Sequence, residues 1–134
     1  MIETHIQIIG FLFTILALVH VIFPRYFSWK VELAPLSLIN RQMFQIHTLF
    51  VALTVFLMGL LCILYSEELT HNELGKPILF GFAVFWSLRF VIQFFGYSSK
   101  LWRGKKFETV VHIVFSGFWI YTTVVFWMAF LKFY

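Results

Sequence analysis

The chain has 134 residues and very little of what a soluble domain carries on its surface. Only 12% of its residues are charged, where a soluble domain has about a quarter. Its one cysteine, Cys62, excludes an intramolecular disulfide and is read as a packing residue. Three prolines leave long stretches with nothing to interrupt a helix. Alternation of apolar and polar residues at period two is absent, which argues against a β-barrel. No basic patch suggests nucleic acid as a partner.

What fills the sequence is apolar. Hydrophobic residues make up 61% and aromatic residues 22%, and the mean hydropathy is +0.90. That composition describes a polytopic membrane protein in a single domain. Crossing a hydrocarbon core of about 30 Å takes roughly 20 helical residues. Four stretches qualify: Ile6 to Phe23, Met43 to Tyr65, Pro77 to Tyr97 and Val110 to Leu131. Proline in the first turn of the third does no harm, because that N–H is unpaired anyway. The expected fold is therefore an all-α membrane protein, with four transmembrane helices in an antiparallel bundle. Met1-Ile2-Glu3-Thr4 is no basic leader and no small-residue cleavage site follows, so the first stretch is read as a retained helix.

Charge sets the expected orientation. The loops after the first and third stretches, with their flanks, hold Arg25, Lys30, Arg41, Lys100, Arg103, Lys105 and Lys106. The opposite side has Lys76 and Lys132, beside Glu67, Glu68 and Glu73. By the positive-inside rule both basic loops are cytoplasmic and both termini lie outside, in what is expected to be a bacterial inner (plasma) membrane. The net charge of +4 then gathers on one face and suits anionic lipid headgroups. The segment from Pro24 to Asn40 mixes Tyr26, Phe27, Trp29 and several leucines with charges, so it is expected to be an interfacial segment, linking helices 1 and 2 and lying across the cytoplasmic mouth of the bundle. It would form a lid over any site there. Tyr26, Trp29 and Trp102 fit an aromatic belt.

Within this frame the polar residues converge. His20, His47, His112, Arg89 and Gln93 all fall roughly 6–12 Å inside the boundary marked by the basic loops, at about 1.5 Å of rise per residue. Glu108 arrives at the same level. Helical phase supports the grouping. Glu108, His112, Ser116, Trp119 and Thr123 share one face of the fourth helix, and Trp86, Arg89, Gln93 and Tyr97 share one face of the third. His47 lies on a face with Thr54 and Met58, while His20 lies above Ala17, Phe13 and Gly10. Polar faces inside a membrane are expected to turn inward. A faint echo, Arg41-x5-His47-x2-Phe50 against Lys106-x5-His112-x2-Phe115, hints at two related hairpins.

Three kinds of chemistry use such residues. Haem b takes two neutral imidazoles, and His47 with His112 is the best-placed pair, with Arg89 for a propionate and Gln93 nearby. A zinc, copper or iron ion would take His20, His47, His112 and Glu108. A small transporter or channel, or a quinone site, would use the same groups to bind or relay protons. No glycine or proline break at mid-membrane marks a transport path. Against all three stands a structural role: Arg89 pairs with Glu108 across the third and fourth helices, with Gln93 and the histidines as interhelical hydrogen-bond partners, in an accessory subunit of a larger membrane complex. A homodimer is also compatible with so much apolar surface. His5 and His71 are expected to be solvated at the other side. Gly59, Gly81 and Gly117 are candidates for close helix crossings.

Overall fold

The computed structural model describes residues 1–132 and is helical, with no strand among them. The long helices are α1 (Ile2–Val19), α4 (Leu38–Leu64), α6 (Gly75–Phe95) and α7 (Lys106–Leu131). All four are long and apolar enough to cross a membrane. Between α1 and α4 come two single-turn helices, α2 (Phe23–Tyr26) and α3 (Trp29–Glu32). A short α5 (Ser66–His71) precedes α6, and a 3₁₀ turn (Ser99–Leu101) precedes α7.

The helix ends differ from the hydropathy boundaries for identifiable reasons. α1 starts at Ile2, with Glu3 in its first turn, where a carboxylate suits the positive end of the helix dipole. It stops at Val19, where the His20 Nδ1–H donates to the Leu16 carbonyl at 2.7 Å and the chain tightens into turns that lead to Pro24 in the first turn of α2. α4 begins five residues early, where Ser37 caps it by accepting from the Asn40 N–H. The expected acidic loop contains α5, with Glu67 and Glu68 in its first turn and His71 in its last, each suited to the local end of the dipole.

The chain divides into two compact units, Ile6–Ser66 and Met1–His5 with Glu67–Tyr134. In the first, α1 buries Ile6, Ile9, Gly10, Phe13, Leu16 and Ala17, a 3.6-residue stripe. It runs antiparallel to α4: the Gln7 amide donates to Ser66 Oγ at 3.0 Å, and Gly10 meets Gly59 near mid-helix. Val55, Gly59 and Cys62 are the buried residues of α4. Most of the rest of α4 is exposed and apolar, from Met43 and Phe44 to Leu57 and Leu64. The segment before α4 is mostly exposed, with Leu33 buried and Trp29 packed edge-on against Phe44.

In the second unit α6 and α7 also pair antiparallel. Phe80 meets Phe130, Phe82 meets Phe126, and the Trp86 and Trp119 rings stack at 5.1 Å. The Trp127 indole N–H donates to Ser87 Oγ at 2.9 Å. Gly75 opens α6 against α5 so closely that an added Cβ would run into the Leu69 carbonyl. Because that neighbour is backbone and has little room to give, Gly75→Ala is expected to cost about 2 kcal/mol. A thermal melt in detergent would read the loss, and a melt matching wild type would show that the turn simply shifts.

Candidate functional site

Facing α6 and α7 bring three of the anticipated residues together. The Arg89 guanidinium donates to Gln93 Oε1 at 3.2 Å, and Gln93 Nε2 sits 2.9 Å from His112 Nδ1. Arg89 and Gln93 are one helical turn apart, while Gln93 reaches across to α7. Gln93 is 7% exposed, and Arg89 and His112 are half-buried.

The donors and acceptors in this chain are determined by its first member. A guanidinium can only donate, so Gln93 must turn its oxygen toward Arg89. Its amide N–H then points at His112, which makes Nδ1 the acceptor and puts the imidazole proton on Nε2. The His112 so defined is neutral. It offers no free lone pair in the ring plane, and its outward nitrogen is a donor.

Aromatic rings enclose the relay. Trp102 stacks on the His112 ring at 3.9 Å and 8°, and Phe94 meets that ring edge-on at 5.8 Å. Thr109 Oγ1 donates to the Trp102 carbonyl at 2.6 Å, holding the loop back against the start of α7. The Arg89 guanidinium lies over the faces of Trp119 at 4.8 Å and Tyr97 at 5.6 Å. Both are cation–π contacts, worth most where the cation has lost its water. The Gln93 and Tyr97 contacts show that Arg89 reaches toward the C-terminal end of α6, against the usual backward tilt of helical side chains.

Arg89 has no ion pair among the described residues. Among those residues the buried Trp119 Nε1–H has no hydrogen-bond partner, and neither do the hydroxyls of Thr122 and Thr123 further along α7. By contrast Ser116 donates to the His112 carbonyl and Ser87 to that of Ala83. Serine and threonine in spanning helices ordinarily satisfy themselves in this way.

The other anticipated residues are placed differently. Glu108 is exposed and makes no ion pair with Arg89. His47 is exposed on α4, as is Thr54, which donates to the Phe50 carbonyl, so that face does not turn inward as expected. His20 is held by Leu16 and leans on Phe23 at 4.7 Å. Among the described residues no three His, Cys, Asp or Glu side chains gather as a metal ion would need. His5 is not simply solvated: its Nδ1 lies 2.9 Å from the Tyr121 hydroxyl. His71 lies 2.9 Å from Thr70 Oγ1 and 3.8 Å from Glu3.

Trp102, expected only in an aromatic belt, is a direct neighbour of His112. Trp119 and Tyr97 were on the right helical faces, but nothing distinguished them from other aromatic residues. No family model matches the chain, and neither do any curated protein and any solved structure.

Proposed function

We propose that this is an integral membrane protein whose α6–α7 pair binds the oxygen-bearing head of a lipid-soluble ligand, of the quinone class. The observation that carries this reading is Arg89, a permanent cation within a long apolar helix whose one side-chain hydrogen bond among the described residues goes to Gln93. A guanidinium has five N–H donors, and in a low-dielectric medium unpaired donors favour an incoming acceptor. The buried Trp119 N–H, which has no hydrogen-bond partner among the described residues, adds a donor beside Arg89, and the Nε2–H of His112 is a donor on the side of its ring away from Gln93. A quinone carbonyl is a neutral acceptor that can stay at this depth, and its planar ring would stack on the Trp102 face that His112 does not occupy.

Haem b or a transition metal would take a neutral imidazole nitrogen with its lone pair free. His112 would have to release Gln93 or reverse its tautomer, and the reversed amide would point N–H groups at Arg89. That opposition favours the quinone reading over the metal one. The four spanning helices run unbroken, which lends no support to a transport path. The reading extends to an antiparallel four-helix bundle with residues 24–40 at the interface. Both termini would then lie outside a bacterial inner membrane, in line with the charge of the loops.

The test is titration of a short-chain benzoquinone into the protein in lipid nanodiscs, followed by quenching of tryptophan fluorescence. Saturable binding is expected, with Arg89→Leu weakening it roughly 10- to 100-fold, the worth of one hydrogen bond to a charged group. His47→Ala is expected to bind as wild type does. A Soret band in the purified protein that vanishes in His112→Ala would replace this proposal with haem.

A further inference from the structure

The opposite end of the α6–α7 pair holds a second polar place. Lys76 and Lys132 are distant in the chain, yet both line one cavity of about 260 Å³ where α6 begins and α7 ends. We propose that this cavity is an oxyanion site that takes a phosphate group, with Lys76 and Lys132 as its charged ligands.

Electrostatics argue for an anion here. Lys76 stands in the first turn of α6, where the helix dipole already presents positive charge and a cation is disfavoured. No acidic residue occupies that turn and no side chain caps it. Both lysines are exposed and neither has an ion-pair partner among the described residues, although Lys132 stands at the C-terminal end of α7, where the dipole favours a cation. An anion in the cavity would offset the Lys76 charge at the uncapped turn and pair with Lys132. It would gain the charge-assisted hydrogen bonds that ammonium groups form with phosphate oxygens.

The remaining lining fits. Asn72 and His71 add polar groups to the wall, and Leu79 and Phe130 form an apolar side. Glu73 also lines the cavity and offsets one of the two lysines, leaving the wall net positive. Glu67 and Glu68 open onto an adjoining groove with His71 and Asn72, not onto this cavity. Glu3, 3.8 Å from His71, is a further carboxylate near that wall. The phosphate could be carried by a lipid headgroup, its hydrocarbon beside Leu79 and Phe130, or be free in solution.

The experiment separates these sources. Inorganic phosphate is titrated calorimetrically into detergent-purified protein, and phosphatidylglycerol retention is read in parallel by native mass spectrometry. Lys76→Gln and Lys132→Gln are each expected to weaken binding about tenfold, and the double variant about a hundredfold. The double arginine variant keeps the charge and is expected to keep binding, and Lys105→Gln, at the other end of the pair, is expected to change nothing. Binding of phosphatidylglycerol assigns the site to a lipid, and binding of inorganic phosphate alone assigns it to a soluble anion. Failure of both probes on the wild-type protein, or equal loss in Lys105→Gln, would overturn the proposal.

Discussion

Gly59→Val is expected to open the α1–α4 pair and cost about 3 kcal/mol or more, the upper range for forced overpacking. A Cβ on Gly59 would stand 2.8 Å from the Gly10 carbonyl oxygen and 2.9 Å from Thr14 Oγ1. A Cβ on Gly10 would stand 2.7 Å from the Gly59 carbonyl oxygen. Each glycine thus leaves room for the other's backbone, and a carbonyl moves only if its helix does. Small residues at a crossing allow the close approach on which packing between apolar helices relies. Gly10→Val is expected to cause a similar loss, and the double variant less than the sum, because helices already parted do not collide again. Gly81 and Gly117 supply the contrast, since an added Cβ at either meets nothing within 4 Å. Gly81→Ala and Gly117→Ala are expected to be neutral or to stabilise by up to about 1 kcal/mol, the intrinsic helical penalty of glycine. Thermal melts in one detergent would decide the matter. Equal melting for Gly59→Val and Gly117→Ala would refute the crossing.

That contrast shows what hydropathy can and cannot convey. The four spans are legible because length and apolar content suffice to identify a crossing helix. Their ends are not, because caps and turns decide them: the Ser37 hydroxyl, and the turns that follow the His20 bond to Leu16. Of the three glycines proposed for close crossings, only Gly59 meets another helix backbone, since composition alone does not say what faces a glycine.

The site was legible to the extent that depth and phase together constrain it. Arg89, Gln93 and His112 lie at one level on the facing sides of α6 and α7, and those sides are the ones that pack. His47 satisfied the same depth rule but lies on an exposed face. On a helix apolar nearly all round, a polar stripe identifies a face without saying which way it turns. Trp102 was beyond reach because an irregular loop has no period from which to read its path. Trp119 and Tyr97 were masked by abundance, in a chain where 22% of residues are aromatic.

Gln93→Glu is the substitution expected to change the site most. In the wild-type relay Arg89 sets the amide, and the amide sets His112 as an acceptor at Nδ1. A carboxylate at this position accepts from both sides, so Nδ1 must carry a proton to keep its contact. The expected readout is the ¹⁵N spectrum of the imidazole. Wild type is expected to show a neutral ring protonated at Nε2, and Gln93→Glu a ring protonated at Nδ1. The same substitution gives Arg89 a carboxylate, removing its need for an outside acceptor, so benzoquinone binding is expected to fall at least tenfold. Gln93→Leu separates the two effects. It leaves the Arg89 charge without the amide oxygen and His112 without a donor, and is expected to cost about 1–3 kcal/mol of stability. Arg89 would remain free to bind an acceptor. Loss of binding in Gln93→Glu with retention in Gln93→Leu would tie recognition to the unpaired guanidinium. An unchanged imidazole spectrum in Gln93→Glu would mean that Gln93 does not govern His112, and the tautomer argument against a metal ligand would fall with it.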